Sequence, residues 1–313
     1  MQIPSSPRGT IPDERQALEA GIQYDKSGFP DRALEQLRLA VRLARDPKVA
    51  SEAWRRQAGV HRTRCEWDLA LAAAREAAQI ARRIENAELL AEAINQEALV
   101  YRTQGRFEEA RRLLEHVLTR TRDERVRGIA LQNLGSIAAE TGDLDTAERR
   151  FHESADAFER AGYRLGIAYA LNNSGAAALE SGQVARAEAT LEQAVLAAQE
   201  VGDLDLTALA TMNFAEALAA RGNVARAEEL ASVSLGYFTV EGNTWRRIEC
   251  LRLVGDIALR RGQDDAAHRC FEQGLRLAEE IGATHEATML RDRITRPARP
   301  TNHVPDTTRE LRP

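Results

Sequence analysis

The chain has 313 residues, a net charge of −5 and only 5% aromatic residues. That length has room for two globular domains, while the small charge, with no basic or acidic block, argues against a nucleic-acid footprint and against an acidic solvating tail. No run of 18 apolar residues occurs, so no segment reads as a membrane span.

Residues 1–12 carry Pro4, Pro7 and Pro12 and read as a disordered lead. Met1–Arg8 lacks the apolar core of a signal peptide, so the expected compartment is the cytoplasm. Of the 43 basic residues only Lys26 and Lys48 are lysines, the skew expected of a GC-rich, bacterial genome.

From Asp13 to Ile281 one pattern recurs seven times. A glycine, once a cysteine, stands five residues before an alanine. The first residues are Gly28, Cys65, Gly105, Gly142, Gly182, Gly222 and Gly262; the second are Ala33, Ala70, Ala110, Ala147, Ala187, Ala227 and Ala267. Subtracting neighbouring alanine numbers gives spacings of 37, 40, 37, 40, 40 and 40. A period in this range predicts helical hairpins stacked as a solenoid, which overrides the two-domain count.

The copy from Gly128 to Ala161 shows the unit. Leu131, Leu134, Gly135 and Ala138 recur at i, i+3, i+4 and i+7, one apolar helical face. Gly142 then suits a left-handed helix end. Asp143 and Asp145 suit the next helix start, as do Glu108, Glu109, Asp264 and Asp265, which are read as caps. Ala147, Phe151, Ser154 and Ala155 make a second face. Small residues ahead of the turn (Gly21, Ala58, Ala98, Gly135, Gly175, Ala215 and Gly255) mark where the two helices touch. Larger fillers, or alanine, follow four residues after each alanine of the series, from Leu37 to Phe271. Gly162, Gly202, Gly242 and Gly282 close the last four copies.

Residues 284–294 predict one more helix, with Ala287, Leu290, Arg291 and Ile294 near one face, as a C-terminal cap of the array. Residues 296–313 contain four prolines and few apolar residues and read as a disordered tail.

These glycine, alanine and small-residue series resemble the tetratricopeptide repeat family, with Trp54, Tyr24 and Tyr101 where that family favours aromatics. The late proline of the family is missing, most copies exceed 34 residues, and Ala138, Ala178, Leu218 and Ala258 replace the aromatic in the later copies. Longer copies with motifs such as Leu171-Asn172-Asn173-Ser174-Gly175 resemble the subtype of kinesin light chains and of the sensor region of maltose-type transcriptional activators. The resemblance implies an all-α, right-handed superhelix of about seven hairpins with a capping helix, spanning residues 13–295.

No catalytic constellation accompanies this pattern. His61, His116, His152, His268, His285 and His303 include no i, i+4 pair on one helix, and His61 takes the slot of Tyr24 and Tyr101, which a packing role explains. Cys65, Cys250 and Cys270 form no C-x-x-C pair and read as isolated reduced thiols. Neither the phosphate-loop signature nor G-x-S-x-G occurs. The chain is therefore read as no enzyme, with no metal and no cofactor.

In the family the first helix of each hairpin lines the concave side. The resemblance then implies a binding stripe on the face opposite the packing series, at i, i+4, i+7 and i+11. It runs through Glu92, Gln96, Leu99 and Thr103; Ile129, Asn133, Ser136 and Glu140; Tyr169, Asn173, Ala176 and Glu180; and Leu209, Asn213, Glu216 and Ala220. Across copies Gln96, Asn133, Asn173 and Asn213 form a carboxamide ladder able to pair with the N–H and C=O of an extended peptide. Ile129, Tyr169 and Leu209 make an apolar row beside it. Glu140, Glu180 and Glu216 tilt the floor negative and welcome a basic ligand residue. The competing reading has the amides bonding neighbouring helices and binding nothing. Arg55, Arg56 and Arg62 form the nearest basic cluster and read as a solvated charged face.

The resulting expectation is a non-catalytic scaffold or adaptor holding a protein or extended peptide segment, without nucleic acid or membrane. The alternatives are a sensing regulatory subunit acting in trans on a transcription regulator or protease, and a self-associating structural solenoid. The sequence leaves the oligomeric state open.

Overall fold

The computed structural model describes residues 13–27 and 29–295, and among these every regular element is an α-helix. The expected lead (1–12), the tail (296–313) and Gly28 of the turn series lie outside the described residues. The chain divides into two compact units, one ending at Asp203 and the other starting at Leu204.

The first unit holds α1 (Glu14–Lys26), α2 (Pro30–Leu43), α3 (Pro47–Thr63), α4 (Trp67–Arg83), α5 (Ala87–Thr103), α6 (Phe107–Arg120), α7 (Glu124–Glu140), α8 (Leu144–Arg160), α9 (Arg164–Glu180) and α10 (Val184–Val201). They pair in order, α1 with α2 through α9 with α10. Each first helix also touches the next first helix, so α1, α3, α5, α7 and α9 form one row. The second unit holds α11 (Leu204–Arg221), α12 (Val224–Val240), α13 (Thr244–Arg260), α14 (Asp264–Glu280) and α15 (Thr284–Thr295). Here α11 pairs with α12, α13 with α14, and α15 lies on α14.

Turn chemistry sets the hairpins. Gly105, Gly142, Gly182, Gly222 and Gly262 all adopt positive φ between 72° and 90°, the left-handed conformation that ends a first helix. Cys65 adopts φ 59° at the same turn, and Glu85 adopts φ 53° at the end of α4, both with a Cβ that this region disfavours. Five first helices are then capped by side chains: Asp13, Asp46, Asn86, Asp123 and Asn243 each accept from an amide two or three residues on, whereas Tyr163 before α9 makes no such bond. Second helices mostly are not. Asp143 does cap α8, accepting from the Thr146 amide at 3.1 Å, and its bonds to Thr146 hold its carboxyl below the usual range. Glu108, Glu109, Asp264 and Asp265, expected as caps, instead lie in the first turns of α6 and α14, whose cap residues Arg106 and Gln263 make no side-chain capping bond; Arg106 instead donates to Glu109. Their role there is electrostatic, facing the positive end of the helix dipole.

Packing within each pair follows a fixed register. All seven alanines of the series are fully buried. Sixteen residues beyond each small residue of the first helix stands its partner on the second. A Cβ on Gly135 would lie 2.7 Å from Phe151 Cε1, and one on Gly175 would lie 2.5 Å from Leu191 Cγ; Gly21 meets Leu37 and Gly255 meets Phe271 in the same way. Where the first helix carries alanine, the partner shrinks in two of three cases: Ala58 faces Ala74, and Ala215 faces Ala231, while Ala98 faces Leu114. Between pairs, Phe158 of α8 lodges against Gly128 of α7 and Gly166 of α9, where a Cβ would come within 2.5 and 2.6 Å of its ring. Buried hydroxyls tie the far ends of the pairs: Ser154 Oγ donates to Gly128 O (2.8 Å), Ser51 Oγ to Ala77 O (3.1 Å) and Ser234 Oγ to Ala208 O (3.0 Å).

The last helix matches the expected 284–294 to within one residue. Ala287 and Leu290 are buried with Phe271 and Ala278, and Ile294 packs beside them. Arg291, expected on that face, is exposed and bonded to Glu279 instead. A helix presenting its apolar side to one neighbour leaves the long charged side chain outside.

Two outcomes follow. Gly135→Ala lowers stability by roughly 1–3 kcal/mol through overpacking. Combining it with Phe151→Ala loses less than the two single losses added, which chemical denaturation of the four proteins measures. Cys65→Gly relieves the left-handed strain, worth about 1–2 kcal/mol before glycine's greater unfolded-state freedom is subtracted. Its melting temperature therefore rises, whereas Cys65→Ala does not raise it.

Candidate functional site

In the first unit the row of first helices brings part of the expected stripe together. Gln96 of α5 is half-buried against α3, where a Cβ on Gly59 would lie 3.7 Å from its Nε2, and that Nε2 is enclosed with no partner. Asn133 of α7 is buried, and its Oδ1 accepts from Arg102 Nη1 at 3.4 Å. Asn173 of α9 accepts from Asn172 Nδ2 at 3.3 Å. Ile129 and Tyr169 are half-buried beside these amides, Ser136 and Ala176 are half-buried, and Glu140 and Glu180 are exposed. The amides thus face their own chain as well as the open side.

The charge of this face differs from the expected negative floor. Arg102, which the stripe rule skipped in favour of Thr103, lies 3.5 Å from Glu140 and compensates it. Arg62 stands at the same place one helix earlier, with Nε enclosed and unpartnered. Its guanidinium is pushed below its ordinary value by burial and by repulsion from Arg102, against the pull of Asp25. The signal for both was available: each arginine directly follows the aromatic-slot residue, His61 or Tyr101.

Arg55 and Arg56 are not a solvated face. Both are clamped on the half-buried Glu52, Arg56 Nε at 2.7 Å, and Arg55 also reaches Glu92 at 3.5 Å. Burial raises the Glu52 carboxyl, but Arg55 and Arg56 together outweigh it and hold the group below its ordinary value. His61 is buried as expected of a packing residue, and its Nδ1 lies 2.5 Å from Glu66 Oε2.

In the second unit Leu209 and Asn213 are half-buried on α11. Glu216 lies 3.4 Å from Arg252 of α13, which also reaches Asp256 at 3.4 Å. Asp256 in turn accepts from Arg293 Nε and Nη2 of α15 at 2.8 and 3.0 Å. Glu216 is therefore a link in a chain of ion pairs joining α11, α13 and α15.

Among the described residues no group of three or more His, Cys, Asp or Glu side chains is placed to hold a metal ion. No described helix is long and apolar enough to cross a membrane. Burial pushes the Cys250 thiol up to about 12, and it donates to Met212 Sδ at 3.3 Å, so it carries no thiolate at neutral pH.

A row of first helices, each closed on its second helix at a small-residue crossing, is the geometry of the family whose models match this sequence. Tetratricopeptide repeat models match residues 49–123, 127–200 and 172–236, together more than half of the chain. The chain belongs to the tetratricopeptide repeat family. No curated protein matches the sequence. Solved structures share the fold at low identity. A signal transduction ATPase with a tetratricopeptide repeat sensor from Pyrococcus horikoshii is 12% identical with a TM-score of 0.65; the match covers 88% of this chain but only 44% of that one. A Rap protein complexed with competence and sporulation factor is 16% identical with a TM-score of 0.60, over 90% of this chain and 73% of that one. Kinesin light chain-like repeats from Podosopora anserina are 19% identical with a TM-score of 0.51, over 63% of this chain and 98% of that one.

The Glu52 clamp gives this tetratricopeptide face a measurable pH signature. A carboxyl held low in the folded state contributes stability above its ordinary pKa of 4.5 and loses it as the pH falls through the folded value. Glu52→Gln removes that contribution. The melting temperatures of wild type and variant are expected to differ at pH 7 and to converge on acidification below pH 4.5; a constant difference contradicts the clamp.

Proposed function

We propose that this chain is a non-catalytic protein- or peptide-binding scaffold. Its ligand lies along the first-helix face of the first unit, on Gln96, Asn133 and Asn173 with Ile129 and Tyr169. In the second unit, Leu209 and Asn213 offer the same chemistry. One observation supports this most directly. Successive first helices touch, so carboxamides from α5, α7 and α9 share one row beside half-buried apolar side chains. Amides carry both donors and acceptors and suit the main chain of an extended segment. The unpartnered Gln96 Nε2 is a donor still awaiting an acceptor. Glu180 is left to meet a basic ligand residue, whereas Glu140 and Glu216 are already matched by Arg102 and Arg252. The cytoplasm is the compartment consistent with this role.

A second reading, a sensing subunit acting in trans on a transcription regulator or protease, draws on the fold of the Pyrococcus horikoshii protein, whose repeats are described as a sensor. Both readings use the same face and differ in what the bound state controls.

The test is affinity for a partner captured by pull-down and identified by mass spectrometry. Changing Asn133, Asn173 and Asn213 together to Ala removes bonds worth roughly 0.5–1.5 kcal/mol each. The dissociation constant is expected to rise by about tenfold or more with unchanged helical circular dichroism. Unchanged affinity moves the binding surface elsewhere, and lost helicity makes the ladder structural.

A further inference from the structure

A cleft of about 600 Å³ opens in the first unit between α2, α3 and α4, away from the amide row. Its walls include Arg38 and Arg42 of α2, Trp54, Gln57 and His61 of α3, and Leu69 of α4. It exists because α4 is thin: Ala73 and Ala74 stand where the next two copies carry Leu113 and Leu114, then Arg150 and Phe151.

The repeat itself shows what this cleft lacks. Arg38, Arg75 and His152 each stand five residues after an alanine of the series, and Gln57, Glu97 and Ser174 each stand just before the small residue of the following first helix. At two later seams these positions bond. Arg75 Nε donates to Glu97 Oε1 at 3.0 Å and Arg75 Nη2 to Tyr101 OH at 3.0 Å. His152 Nε2 lies 3.2 Å from Ser174 Oγ. At the α2–α3 seam the counterparts are Arg38, Gln57 and His61, all on the cleft wall. Gln57 is only 2% exposed, and its Nε2 has no acceptor. Arg38 and Arg42, one turn apart and exposed, have no ion-pair partner among the described residues. The seam holds donors and lacks the carboxylate that Glu97 supplies next door.

We propose that this cleft is a second binding site, for a partner peptide in which a carboxylate side chain adjoins a large apolar one. The carboxylate takes the place of the Glu97 group, accepting from Arg38 and Gln57 Nε2, a charge-assisted arrangement. The apolar side chain rests on Trp54 and on Leu69, which is 53% exposed. Charge complementarity selects the acidic partner, and Glu76 on the α4 rim fixes its direction, turning the carboxylate toward α2.

The test uses the full chain, ¹⁵N-labelled, titrated with N-acetyl-Leu-Glu-amide and its Leu-Gln counterpart. Saturable shifts are expected at the Trp54 indole and the Gln57 amide, with the Leu-Gln peptide about tenfold weaker because the charge-assisted bond is lost. Gln57→Glu supplies the missing carboxylate from within, so it raises the melting temperature and abolishes binding. Arg38→Ala abolishes binding with an unchanged melting temperature. The Asn133, Asn173 and Asn213 triple variant binds these peptides like wild type, which separates this site from the amide row. Equal binding of both peptides, full binding by Gln57→Glu, or no saturable shift overturns the proposal. N-acetylleucine alone binding as tightly assigns the cleft to a small carboxylate and also overturns it. So does self-association that Arg38→Ala abolishes, which assigns it to a second copy.

Discussion

Within each hairpin two backbones cross so closely that the first helix carries only glycine or alanine at the contact. Gly21, Gly135, Gly175 and Gly255 leave no room for a Cβ, because Leu37, Phe151, Leu191 and Phe271 already fill it. The fully buried alanines stand one turn before those fillers on the second helix. Interiors are packed to crystal-like density, so such a contact admits little adjustment. Because each crossing fixes the angle of one hairpin, it also fixes which face of the first helix is left outward. The position of Asn133 or Asn173 therefore follows from the glycine two residues later.

That logic explains what the sequence disclosed. The crossing needs particular small residues at a fixed spacing, and the turn needs a residue tolerating positive φ. Both constraints act within one copy, and both repeat, so Gly142, Ala147 and Phe151 could be read without a structure. Even Cys65 followed the turn register, and the structure gives it the left-handed conformation that its position required. The final helix was legible for the same reason, through the spacing of Ala287 and Leu290.

Polar partners on this face were less legible, because they join different first helices at spacings that change from pair to pair, 31 residues for Arg102 and Asn133 and 36 for Glu216 and Arg252. Arg102 reaches both Asn133 and Glu140, and Arg252 reaches Glu216, from rows adjacent to the predicted stripe. A helical stripe drawn on one helix does not reveal side chains leaning across from the next. Arg55 and Arg56 differ: Glu52 lies three and four residues before them on the same helix, a pairing the spacing allowed, and what the sequence left unseen is the burial that encloses Glu52. The caps at Glu108 and Asp264 were misplaced by a shorter-range effect: an acidic residue in the first turn meets the dipole without reaching an amide. The Gln57 seam was invisible from one copy and becomes visible only when three copies of the same seam are compared.

We propose that the crossings bury one face of each first helix so that the other can hold a ligand. Hydrogen–deuterium exchange on the complex with a captured partner tests this most directly, since amide protection reports where a bound segment lies. Slowed exchange on α5, α7 and α9, with α6, α8 and α10 unchanged, is the predicted result. Protection confined to α6, α8 and α10 contradicts it.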